Sequence, residues 1–194
     1  LCAGKKDIVI ISSDHTRPVP SRVTMPILLH HIHSAAPEAH VRILVATGMH
    51  RPSTHEELVN KYGEEIVANE EIVMHVATDD SMMKKIGTLP SGGECIINKI
   101  AADCDLLLAE GFIEPHFFAG FSGSRKSVLP GIASYKTIMY NHNGQFVNDS
   151  HSRAGNLCHN HVSEDMFAAA EMAHLAFVLN VVLNGKHEVI GSFA

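Results

Sequence analysis

Tryptophan is absent from the 194 residues, and the four cysteines, Cys2, Cys95, Cys104 and Cys158, stand far apart with no Cys-x-x-Cys pair. Such spacing excludes a small disulfide framework and is expected of reduced thiols in the cytoplasm. No Lys/Arg-rich run occurs and the formal charge is -6, which speaks against a dedicated nucleic-acid or anionic-membrane surface. No apolar run reaches the roughly 18 to 20 residues that span a bilayer, and the first residues lack the apolar core of a signal peptide. Internal repeats and low-complexity tracts are missing too. What is there is a 45% hydrophobic content, enough for a globular core, and 15 histidines. Small molecules are the expected partners.

Residues 7–12 (Asp-Ile-Val-Ile-Ile-Ser) form a short β-branched run suited to a buried parallel strand. Met25, Leu28, Leu29 and Ile32 follow at helical spacing, with Thr24 as the expected N-cap and Pro26 in the first turn. Residues 40–46 repeat the strand pattern, and Ser53 with Glu56 predicts a capping box opening a helix to about Ala68. Residues 72–76 and 105–109 read as further strands, while the turn-rich stretch 79–93 has no assignment. Ser163 with its acidic neighbours marks another helix start. Near the end, 175–183 and 188–193 flank Asn184-Gly185, a strong hairpin signal. The alternation predicts an α/β fold, a largely parallel sheet flanked by helices with a hairpin near the C-terminus, as one domain over 1–194. Loops after the strands then converge on one sheet edge and bring Arg17, His50 and His116 together.

Three of those loops could carry chemistry. In the first, Asp14, Thr16 and Arg17 suit an anion, with Arg17 able to grip a carboxylate or phosphate bidentately. The second holds Gly48 and His50, an acid/base candidate equally compatible with backbone capping. The third, within the glycine-rich stretch 110–131, gathers His116, Phe117, Phe118, Phe121, Ser122, Gly123, Arg125 and Lys126. Its glycines admit close approach, its serines and Arg125 suit a phosphate, and its phenylalanines exclude water. The Walker A spacing is missing, so a nucleotide triphosphatase is not indicated. Beyond it, His142 could offer an imidazole to nickel, copper or zinc. The runs at His30, His31 and His33, and at His159 and His161, suit packing, surface or pocket-edge positions.

Asp14-x-Thr16-Arg17-Pro18, Gly48-x-His50-Arg51, the long motif from Glu114 to Lys126, Leu129-Pro130-Gly131 and Asn141-His142 occur in order over nearly the whole chain. Together they resemble the nickel-dependent lactate racemase family. The resemblance implies racemisation of a small 2-hydroxyacid with a nickel-pincer nucleotide, a nicotinate-derived mononucleotide that grips nickel through a ring carbon and two sulfur-containing arms. By that resemblance Lys126 tethers the cofactor through a thioamide and His142 is the protein's nickel ligand. His50 and His116 are the paired acid/bases. Arg17 holds the substrate carboxylate with Asp14 beside it, while Thr16, together with Ser122, Gly123 and Arg125 of the 122–125 loop, helps seat the cofactor.

The family's enzymes are longer, with a second α/β domain contributing further substrate groups. The chain is therefore expected to be the cofactor-bearing part of a two-domain enzyme, inactive alone and cofactor-free unless cofactor-synthesis enzymes act on it. Cys158-His159-Asn160-His161 departs from the family's usual turn, which leaves pocket shape and substrate choice open. Two other readings stand beside this one: a ligand-binding or sensor domain without turnover, and a zinc hydrolase using His116 and His142.

Overall fold

Strands buried on both faces must be apolar throughout rather than alternating, and the chain's β-branched runs meet that demand. The computed structural model describes residues 1–123 and 125–194. In it β1 (Asp7–Ser13), β2 (His40–Ala46) and β3 (Glu71–Met74) alternate with α1 (Ser21–Ala35), α2 (His55–Tyr62) and α3 (Glu64–Asn69). Next come a ribbon of β4 (Met83–Thr88) and β5 (Glu94–Asn98), then α4 (Lys99–Asp103) and β6 (Leu106–Phe112). Two-residue strands β7 (Pro115–His116) and β8 (Gly120–Phe121) precede α5 (Arg125–Val128), α6 (Tyr135–Asn141) and α7 (Gly144–Val147). The long helix α8 (His161–Met172) leads to β9 (Leu175–Leu183) and β10 (Val189–Phe193).

The main sheet has six strands in the order β10-β9-β6-β1-β2-β3. All neighbours are parallel except the β9–β10 hairpin, so the expected α/β architecture holds. Ile8, Ile10, Ile43, Leu106 and Leu108 face Met25, Leu28, Leu29 and Ile32 of α1. Val9, Ile11, Leu44, Leu107 and Ala109 face the opposite core with Val162, Met166 and Ala169 of α8. The chain runs outward from β1 to β3 and returns to β6 on the other side of β1. That reversal opens a crevice beyond the carboxyl ends of β1 and β6, where open α/β sheets take ligands.

Several element boundaries differ from the sequence reading, for local or tertiary reasons. Helix α1 begins at Ser21 rather than after Thr24, with Pro20 at the N-cap. Ser21 Oγ (2.5 Å) and Thr24 Oγ1 both donate to the buried Glu110 of β6, which ties that first turn to the sheet. Ser12 Oγ donates to the same carboxylate at 2.6 Å and accepts from the Tyr62 hydroxyl at 2.8 Å. The capping box belongs to Thr54 and Glu57, while Ser53 instead meets His15 Nδ1 at 3.0 Å. Gly63, at φ 91°, breaks the expected single helix into α2 and α3. Asn160, not Ser163, caps α8. The unassigned 79–93 stretch contains β4, half of a ribbon antiparallel to β5.

His75 lies fully buried just beyond β3, its Nε2 donating to Ala133 O at 3.0 Å. Burial lowers its pKa to about 4. In the unfolded chain the same ring takes up its proton near pH 6.5, so its stabilising effect is complete above that pH and is lost as the pH falls toward about 4. The full loss is on the order of 3 kcal/mol. Urea midpoints should therefore drop between about pH 6.5 and 4, with His116 and His142 adding to the slope. His75→Gln, which keeps an amide donor, should flatten part of that drop; an unchanged slope would refute the assignment.

Candidate active site

Loops following β1, β2 and β6 supply the residues of one cleft of about 340 Å³, a size suited to a small ligand. Asp14, Arg17, His50, His116, Ser122, Gly123, Lys126 and His142 all line it. The loops are stitched to one another: Gly48 N donates to Gly131 O at 2.9 Å. Gly48 needs its φ of 54°, and at Gly120, with φ 78°, a Cβ would come within 2.4 Å of Asn156 O.

Asp14 is buried beneath the first loop. Its Oδ1 accepts from Thr16 N at 3.1 Å and Thr16 Oγ1 at 2.6 Å, and its Oδ2 lies 2.6 Å from His50 Nδ1. Burial alone would raise the Asp14 pKa, but the Thr16 and His50 hydrogen bonds outweigh it and hold the carboxyl below its usual range. An ionised Asp14 fixes the proton of His50 on Nδ1 and leaves Nε2 for exchange with a ligand. Asp14, expected against the substrate, thus also serves as the partner of His50. Thr16, expected at the cofactor, is absent from the cleft lining and holds Asp14.

On another wall, β7 and β8 pair antiparallel, and Phe117 and Phe118 between them line the cleft. The His116 ring stacks on Phe117 with centroids 4.6 Å apart, and its edge-to-face contact with Phe118 is at 4.7 Å. Its Nδ1 accepts from Ala119 N at 3.3 Å and its Nε2 lies 3.3 Å from Lys126 Nζ. Desolvation first, then the charges of Lys126 and Arg17, lowers the His116 pKa to about 4. Lys126 is lowered to about 7 by burial and by the Arg17 and Arg125 charges. His142, at the end of α6, meets Phe118 edge-on at 5.1 Å and is lowered to about 4 by burial and the Lys126 charge.

Arg125 requires a correction. Expected to seat a phosphate, it does not line the cleft. Its Nη2 donates to Ala119 O and Phe121 O, both at 3.0 Å, and its guanidinium rests 4.5 Å from the Phe167 ring centre. It is the internal clamp of the loop. Ser122 does line the cleft, but its hydroxyl is occupied by Phe112 O and Glu114 N, each at 2.9 Å. Gly123 is positioned for close approach, while Ser124 of the same loop lies outside the described residues. Arg17 is exposed, and its guanidinium makes no hydrogen bond or ion pair among the described residues, so it remains available to an anion. Phe118, packed against His116, His142 and Lys126, was not distinguished from its phenylalanine neighbours by sequence.

A group bound beside His142 and Lys126 fits this residue set. Among the described residues no group of three His, Cys, Asp or Glu side chains is arranged to hold a metal, so a metal here would need ligands from elsewhere. The buried His142 Nδ1 has no hydrogen-bond partner among the described residues, leaving a polar atom for a bound group to satisfy. Lys126 is a half-buried amine whose free base is accessible near neutral pH and can be acylated. The arrangement can bind a carboxylate, exchange protons from two imidazoles and exclude water.

A family model described as the lactate racemase N-terminal domain matches residues 1–155. The chain is 70% identical over its whole length to a lactate racemase of Lactiplantibacillus plantarum, of which it covers 46%. It is 54% identical to a lactate racemase of Thermoanaerobacterium thermosaccharolyticum, again covering 46%. The chain thus spans about half the length of these curated relatives. The apoprotein structure of a Thermoanaerobacterium thermosaccharolyticum lactate racemase superposes with a TM-score of 0.97 over 99% of this chain and 46% of that one. A Thermotoga maritima protein, 22% identical, shares the fold with a TM-score of 0.82 over 99% of this chain and 50% of its own.

Proposed function

The chain belongs to the lactate racemase N-terminal domain family, and on that premise we propose that it is the cofactor-bearing part of a racemase of small 2-hydroxyacids such as lactate. The observation that carries this reading is the single cleft in which the Asp14–His50 pair faces the cluster of His116, Lys126 and His142.

A tethered nickel-pincer nucleotide supplies, when bound, a carbon that takes and returns a hydride. Lys126 would hold it covalently and His142 would ligate its nickel. Arg17 would bind the substrate carboxylate with a planar, permanently charged fork. His50, oriented by Asp14, would remove the hydroxyl proton from one enantiomer, and His116, with its proton moved from Nε2 to Nδ1 in the loaded site, from the other; each returns a proton on the opposite course. Phe117 and Phe118 would keep water from the exposed carbonyl formed between the two steps. We also propose a cytoplasmic setting, on the strength of four free thiols.

A zinc hydrolase on His116 and His142 finds less support, since a catalytic zinc takes three protein ligands and no such group stands among the described residues. A sensor domain would share the cleft without turnover. The test is direct. The full-length protein, coexpressed with cofactor-synthesis enzymes, should carry nickel and a mass addition on Lys126, and should exchange the C2 hydrogen of lactate. Absence of both nickel and added mass would refute the racemase reading, whereas loading without exchange would favour the sensor. The isolated 194-residue chain should give little or no turnover.

One variant isolates the Asp14–His50 pair. Asp14→Asn removes the charge that fixes the His50 tautomer, and should lower kcat for lactate by about 10²-fold with KM little changed. If kcat held while KM rose, Asp14 would be a substrate contact instead.

A further inference from the structure

Beyond racemisation, we infer that the cofactor-free cleft condenses small 2-oxo acids reversibly with Lys126 as an imine, with Arg17 holding the acid's carboxylate and His116 passing the proton. The first support is the direction of two hydrogen bonds. His116 Nδ1 accepts from the Ala119 N–H at 3.3 Å, so the neutral ring carries its proton on Nε2. That Nε2 lies 3.3 Å from Lys126 Nζ. A protonated nitrogen can only donate, and the one acceptor an amine offers is its lone pair. With Nε2–H as the donor, the contact suits Lys126 as the free base, the nucleophilic form.

The second support is what surrounds the amine. Lys126 lies 5.7 Å from the Phe118 ring centre, and Phe117 and Phe118 both line the cleft, so loss of water from an adduct is favoured there. Arg17 lines the same cleft with its guanidinium uncommitted among the described residues. An amine, an imidazole and a guanidinium in one cleft are the groups that imine formation with a 2-oxo acid uses.

The step balances without an oxidant or reductant. The Nζ lone pair forms a bond to C2 as the C2–O double bond opens. One Nζ proton moves through His116 Nε2 to the oxygen, and the ring ends neutral. The C–O bond then breaks as the second Nζ proton follows the same route. One water leaves and a C=N bond remains. An acylated Lys126 has no such lone pair, so cofactor loading and imine formation exclude each other.

The test uses the full-length protein produced without cofactor-synthesis enzymes, incubated at neutral pH with pyruvate and cyanoborohydride, followed by intact mass and peptide mapping. One reduced adduct is expected, on Lys126, forming roughly 100-fold faster than on other lysines because an ordinary amine is almost wholly protonated. Methyl pyruvate, which lacks the carboxylate, should label Lys126 more slowly despite its more reactive carbonyl. Arg17→Met should erase that preference, and His116→Gln should slow labelling while circular dichroism stays unchanged. Labelling spread evenly over the lysines would overturn the proposal, as would a pyruvate preference that survives Arg17→Met. Failure of nickel loading in the matured protein would leave this result untouched, so the two readings fall separately.

Discussion

Lys126→Ala is expected to bring lactate racemisation by the matured, full-length protein to the uncatalysed rate, a loss of at least about 10⁶-fold. Among the described residues Lys126 is the one lysine lining the cleft, so no neighbouring amine there could take over the proposed tether. Lys126→Arg should fail equally, since a guanidinium stays protonated at any accessible pH and offers no lone pair for acylation. Intact mass, nickel content and a chiral lactate assay read the same samples. Full activity in either variant would dissociate the tether from Lys126. The free base is also what makes loading pH-dependent: with a pKa near 7, the amine is progressively lost to protonation as the pH falls below that value. Attachment should slow accordingly.

The second large effect concerns the two imidazoles. His50→Ala and His116→Ala should each lower steady-state racemisation about 10²- to 10⁴-fold in both directions, because every turnover passes one proton through each side. Single turnovers should separate them. Each variant should still oxidise the enantiomer served by its remaining histidine, and the two variants should prefer opposite enantiomers. The same preference in both would mean that one histidine serves both faces. The sites are not equivalent in this structure: His50 leans on an ionised aspartate, whereas His116 is desolvated among phenylalanines and beside a lysine.

The sheet order follows from sequence signals that are local. Buried strands such as 7–12 and 105–109 need continuous apolar runs, and the glycines and prolines after them mark the loops. Caps were harder to read because the decisive partner is remote. Thr24 looks like an N-cap from its neighbours, yet its hydroxyl belongs to Glu110, 86 positions away. Glu110 itself sits in an apolar strand, and nothing nearby announces its three hydroxyl donors. The β4–β5 ribbon hides in turn-rich sequence because its outer face is solvated.

The site shows the same division. His116 and Lys126 stand out because glycines, serines and phenylalanines crowd one loop. Residue type said what Arg125 could bind, but not which way it turns. Its orientation is set by two carbonyls, that of Ala119 in the turn before β8 and that of Phe121 in β8. The Asp14–His50 pair joins loops 36 residues apart, and only the parallel registry of β1 with β2 brings them level.

Phe118 touches His116, Lys126 and His142, the proposed proton carrier, tether and metal ligand, through the faces and edges of one ring. Free-energy changes on substituting His116, Lys126 and His142 will therefore not sum, since each change alters the packing that the other two feel. A rate loss measured at any one of them carries contributions from its neighbours. Thermodynamic cycles built on a Phe118→Leu background would separate direct chemistry from shared packing.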